Sequence, residues 1–118
     1  MPINSKQKGA RGEIEWRNFL RDRGYEDARR TQQYCGNTGD ASDVVCSGLE
    51  RYHQEVKRTE RINVYTALKQ AIADSPEGKV PFVAHRRSHE EWVVIVKASD
   101  FMDLVEQVSA QAEVLQQG

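Results

Sequence analysis

The chain has 118 residues, which suits one domain spanning 1–118, and 30 % of them are charged, yet the formal net charge is only −1. That balance excludes a simple polycation coating nucleic acid and an acidic disordered chain, which joins low hydrophobicity to a large net charge. No apolar run approaches the roughly 20 residues of a membrane span, and the start, MPINSKQKGARGE, has no apolar centre like that of a signal peptide, so a soluble, cytoplasmic protein is expected.

Residues 8 to 24 are predicted as a helix, with Asn4 or Ser5 as its cap, Ile14, Phe19 and Leu20 as a partial apolar stripe and Gly24 as its stop. A short polar strand over 28–34 leads into a loop over 35–41 that carries Gly36, Asn37, Gly39 and Asp40. Residues 43–47 and 51–57 are expected to pair as a hairpin around Gly48. Helical spacing returns over 62–74 through Val64, Tyr65, Leu68 and Ile72, and Ser75, Pro76 and Gly78 end it. Residues 80–84 and 92–96 are strands, the second apolar enough to be buried. A last helix puts Phe101, Leu104, Val105, Val108, Ala112 and Leu115 on one face, to pack on the sheet or on a partner. The order is α-β-β-β-α-β-β-α. Tyr52, Tyr65 and Trp92 are expected in the core or against the sheet, whereas Trp16 lies off the first helix's stripe and could pack against a neighbouring element or a dimer mate.

Charge is uneven along this order. Residues 1–97 hold every Lys and Arg and sum to +3, while residues 98–118 carry Asp100, Asp103, Glu106 and Glu113 with no basic residue and sum to −4. Neutrality is a cancellation between a basic body and an acidic closing helix. Cys35 and Cys46 form no CxxC pair and fit neither a disulfide scaffold nor a zinc knuckle. His85 and His89 bracket a turn with no Cys nearby, so zinc is not expected there.

The local pattern that bears chemistry is Glu55-Val56-Lys57 on a strand, preceded by Ser42-Asp43-Val44-Val45. Side chains alternate across a strand, so His53, Glu55 and Lys57 share one face, where His53 would border the site or touch solvent. A hairpin centred near Leu49 sets Asp43 opposite Glu55, and directly opposed Cβ atoms lie roughly 4.5–5.5 Å apart. Two carboxylates so close repel unless a cation intervenes, and hard oxygen donors suit Mg²⁺ or Mn²⁺. The plainer alternative is that Asp43 caps the hairpin and Glu55 pairs with Lys57 on a solvated face. Glu13, with Arg17 four residues on, has the spacing of a helix-surface ion pair.

Lys8-Gly9-Ala10-Arg11-Gly12-Glu13, Arg23-Gly24-Tyr25, Ser42-Asp43-Val44-Val45 and Glu55-Val56-Lys57, in this order, resemble the PD-(D/E)xK nuclease superfamily, and most of all archaeal-type Holliday-junction resolvases and small phage endonucleases. Ser42 stands where the superfamily's name has Pro, and Asp40 is a reserve carboxylate. The resemblance implies an α/β fold with a restriction-endonuclease-like αβββαβ core, a mixed central sheet flanked by helices, plus an extra C-terminal strand and helix. It implies Glu13, Asp43, Glu55 and Lys57 as active-site residues with Gln70 nearby, and Mg²⁺ held by Glu13, Asp43, Glu55 and Val56, with Mn²⁺ able to substitute. Lys57 would position or deprotonate the attacking water, or act as a fixed cation. The expected partner is DNA, branched in the resolvase case, with no organic cofactor and no membrane. Lys6, Lys8, Arg11, Arg29, Arg30, Arg58, Arg61, Arg86 and Arg87 would meet the phosphates, with Gly9 and Gly12 letting the backbone approach the helix. A homodimer is expected, because two strands cut symmetrically need two sites. The alternative function is a DNA-binding module of the same fold without cleavage.

Overall fold

The computed structural model describes residues 5–31 and 42–117, with side chains for 9–31 and 42–116. Asn4, Cys35, Asp40 and the rest of the 35–41 loop lie outside the described residues, as do the side chains of Lys6 and Lys8. Helix α1 (Ser5–Asp22) ends where Gly24 takes a φ of 103°, which lets the Tyr25 N–H donate back to the Leu20 carbonyl at 3.0 Å. Strand β1 (Arg29–Arg30) pairs antiparallel with β2 (Val44–Val45). Strand β3 (Tyr52–Arg58) runs parallel to β4 (Val80–Arg86), and β4 pairs antiparallel with β5 (Val93–Ile95), giving the order β3-β4-β5.

Parallel neighbours need a crossover, and α2 (Val64–Asp74) supplies it. Asn63 caps that helix by accepting the Thr66 N–H at 3.0 Å. Helix α3 (Ala98–Gln117) closes the chain. The result is an α/β fold of three helices and two sheets, the larger one mixed, in the expected element order. No helix among the described residues is long and apolar enough to cross a membrane.

Alternation along β4 divides the core between the two faces of the larger sheet. Phe82 and Ala84 join Trp16, Leu20, Ala28, Val44 and Cys46 on the α1 side, while Val83 meets Ala67 and Ala71 of α2 on the other. Trp16 is central to the first cluster, stacked on Phe19 and in contact with Phe82 and Trp92. Its Nε1–H donates to Gln54 Oε1 at 2.9 Å, which satisfies two buried polar groups at once.

Several expectations need correction. Residues 43–47 and 51–57 form no hairpin ladder, since β2 and β3 belong to different sheets. The 92–96 run is not a buried strand, because β5 is an edge strand with Val93 and Val94 each 51 % exposed, and only Trp92, Ile95 and Val96 turn toward the clusters. Tyr65 is 77 % exposed, since Ala67 and Ala71 make the inward face of α2. The closing helix is not packed on the sheet along its length. Its first half borders an apolar cavity of about 470 Å³ whose opposite wall includes Tyr52 and Phe82, and beyond it Val108 and Leu115 are exposed.

Candidate active site

The chain's own polar side chains replace the missing ladder between β2 and β3. The Asp43 N–H donates to the Gln54 carbonyl at 2.8 Å, and from there side chains take over. Ser42 Oγ accepts the Gln54 N–H at 3.2 Å, and Asp43 Oδ2 accepts the Val56 N–H at 2.8 Å. Two of the amides that β3 turns away from β4 are thus satisfied by a hydroxyl and a carboxylate in place of main-chain carbonyls. This arrangement pins the Asp43 carboxylate to the edge of β3. The N–H and C=O of one strand residue point to the same side, so the Val56 carbonyl also faces that edge.

Glu55 and Lys57 follow from the strand alternation and share the face that α2 covers. Glu55 is buried, and its carboxyl lies beside that of Asp43. Asp43 is consequently pushed up to about 7, first because burial disfavours its charge, then because the Glu55 charge lies beside it, with the Glu13 charge adding a smaller push; the Val56 N–H acts in the opposite direction. The two carboxylates that the sequence set opposite each other are together, and the cost of ionising both is visible. Lys57 is half-buried and forms no hydrogen bond or ion pair among the described residues.

Other expected residues have other partners. Glu13 does not use Arg17; it accepts from Arg30 Nε at 3.0 Å, while Arg17 reaches Asn18. Arg58 and Arg86 both clasp Glu15, at 3.2 and 2.6 Å, on the α1 side of the sheet away from Glu55 and Lys57. Gly12 serves packing and not phosphate approach: it is buried, and a Cβ there would stand 2.6 Å from the Arg58 Cβ. Gly9 is open. Gln70 lies on the exposed face of α2, and no hydrogen bond ties it to the carboxylates. Arg11, Arg29 and Arg61 are exposed, and Arg87 is exposed with a loose 3.7 Å contact to Glu90. His85 is held by the Thr59 carbonyl at 2.9 Å.

Two residues matter more than the sequence reading allowed. His53, expected to border the site or touch solvent, is fully buried with Nε2 at 2.7 Å from Glu55 Oε1 and Nδ1 at 3.0 Å from Ser42 Oγ. Alternation already placed His53 on the Glu55 face; the part played by Ser42 carried no sequence signal beyond its position next to Asp43.

Among the described residues, no set of three or more His, Cys, Asp or Glu side chains is gathered to hold a metal ion. Asp43, Glu55 and the Val56 carbonyl offer a smaller, all-oxygen set. Such a set fits Mg²⁺, which keeps several waters and is commonly held by one or two carboxylates. No family model, no curated protein and no solved structure matches the chain. The site must therefore be read from its own residues.

Proposed function

We propose that this protein is a Mg²⁺-dependent DNA endonuclease with a PD-(D/E)xK-like core, structure-selective in the manner of a Holliday-junction resolvase. The observation that carries the reading is the pairing of Asp43 with Glu55 beside Lys57: two buried carboxyls lie side by side and Asp43 is held up to about 7, a strained electrostatic arrangement that a divalent cation would relieve. Asp43, Glu55 and the Val56 carbonyl would hold the ion, which when bound neutralises phosphate charge and makes a water more acidic. Lys57, with no competing carboxylate partner among the described residues, would orient or deprotonate that water or stabilise the charge that builds on the phosphate. Glu13 enters as a nearby negative charge tied to Arg30.

Arg11, Arg29 and Arg61 keep exposed guanidinium groups for phosphates, whereas Arg58 and Arg86 are engaged by Glu15. The αβββαβ arrangement is supported by the element order and by the parallel β3–β4 pair, and a homodimer follows from the need for two sites on a two-strand substrate.

The test is cleavage of four-way, flap, nicked, single-stranded and supercoiled DNA with Mg²⁺ or Mn²⁺, beside Asp43→Ala and Lys57→Ala. Wild type should cut at least one substrate and both variants should fail. Equal cutting by the variants, or none by wild type, defeats the reading. The absence of a three-ligand cluster among the described residues favours a second reading, a DNA-binding module without cleavage. Salt-sensitive affinity without product would select it.

A further inference from the structure

We propose that His53 is a positioning residue that aims the Glu55 carboxylate, with its own ring held in one tautomer by Ser42. The inference rests on the reading of Asp43 and Glu55 as a cation site. Four groups form one chain of hydrogen bonds: the Gln54 N–H meets Ser42 Oγ at 3.2 Å, Ser42 Oγ meets His53 Nδ1 at 3.0 Å, and His53 Nε2 meets Glu55 Oε1 at 2.7 Å. An ionised carboxylate only accepts, so Nε2 carries the proton on the Glu55 side. Nδ1 is then an acceptor, and the Ser42 hydroxyl, which receives the Gln54 amide, donates its own proton to it.

Both ring nitrogens are used, and Ser42 and His53 are each fully buried, so the imidazole has no second orientation that satisfies its partners. It holds Glu55 on the strand edge where the Val56 N–H pins the Asp43 carboxylate at 2.8 Å. Ligating carboxylates are typically steadied by outer hydrogen bonds of this kind. The Ser-His-Glu order does not make Ser42 a nucleophile, because its side chain is 0 % exposed and no substrate reaches the hydroxyl.

The test uses the full chain without DNA. Mn²⁺ affinity is measured by calorimetry for wild type, His53→Leu, His53→Asn and His53→Gln, with unfolding curves to establish that each variant is folded. Gln restores an N–H donor near the Nε2 position, Asn does not reach it, and Leu has no donor. Leu and Asn should weaken Mn²⁺ binding about 10–100-fold, with most of the loss recovered by Gln. Long-range ¹H–¹⁵N spectra of wild type should show His53 protonated at Nε2 and bare at Nδ1.

Equal affinity in folded Leu or Asn variants overturns the inference, as does protonation at Nδ1 with Nε2 bare. If wild type binds Mn²⁺ with the stated pattern and cuts no DNA, the positioning role stands and the endonuclease reading falls. If wild type binds no Mn²⁺, both fall.

Discussion

β3 carries polar side chains on both faces, and the two faces treat them in opposite ways. Toward α1, Gln54 accepts from Trp16, and Arg58 shares Glu15 with Arg86, so each buried polar or charged group has a complementary neighbour. On the face and edge that hold Glu55 and Lys57, His53 is matched to Glu55 and Ser42, yet like charge still meets like charge at Asp43 and Glu55, and Lys57 forms no ion pair among the described residues. Selection for stability alone favours the first arrangement and removes the second. Under the proposed function, the polar groups toward α1 hold the fold, and the Asp43–Glu55 pair with Lys57 serves chemistry that costs stability.

The comparison breaks most clearly at its two extremes. Lys57→Ala should lower cleavage roughly 10²–10³-fold in single-turnover assays while shifting the melting temperature little. Trp16→Ala should do the reverse, costing about 3–5 kcal/mol in urea unfolding while the folded fraction still cuts. A variant on the α1 side that abolishes cleavage without unfolding, or a Lys57 variant that unfolds, would erase the distinction.

Asp43→Asn sharpens it through pH. With its folded-state value raised from 3.8 to about 7, Asp43 binds more proton in the folded than in the unfolded chain across that window, so its contribution to stability is full below 3.8 and is lost as pH rises toward 7. The asparagine variant keeps an acceptor for the Val56 N–H and escapes that loss. It should be more stable than wild type by on the order of a few kcal/mol at about pH 8 in metal-free buffer, with the gain fading toward about pH 4. Unfolding curves across that range measure it.

Smaller effects follow on the surface. Arg61→Ala should leave folding intact and reduce the salt dependence of DNA affinity by about 0.9 in logarithmic slope, as the loss of one phosphate contact does. Glu15→Gln, which weakens a partly exposed clasp on Arg58 and Arg86, should cost about 1 kcal/mol or less of stability and no activity.

Periodicity made the element order legible, because helix stripes and strand alternation are local properties. The approach of Asp43 to Glu55 was legible too, although the hairpin that suggested it is not a ladder: Ser42 and Asp43 side chains take the β3 amides that a strand would have taken. That substitution depends on side-chain direction and leaves no periodic trace. The apolar content of 92–96 and of α3 was equally plain, yet apolar content does not say whether a second layer covers it. Val94 and Leu115 stay exposed because no element among the described residues does. Trp16, off the stripe, was left open between a neighbouring element and a dimer mate, and it packs on neighbouring elements, since one large side chain can anchor a core from outside the stripe.

The central claim is that the Asp43–Glu55 pair is strained in order to take a divalent cation. Its most direct test is the unfolding free energy at about pH 8 with and without millimolar Mg²⁺, in wild type and Asp43→Asn. The account predicts that Mg²⁺ stabilises wild type, by RT ln(1 + [Mg²⁺]/Kd), and leaves the asparagine variant unchanged. Equal stabilisation of both, or none of wild type, would contradict it.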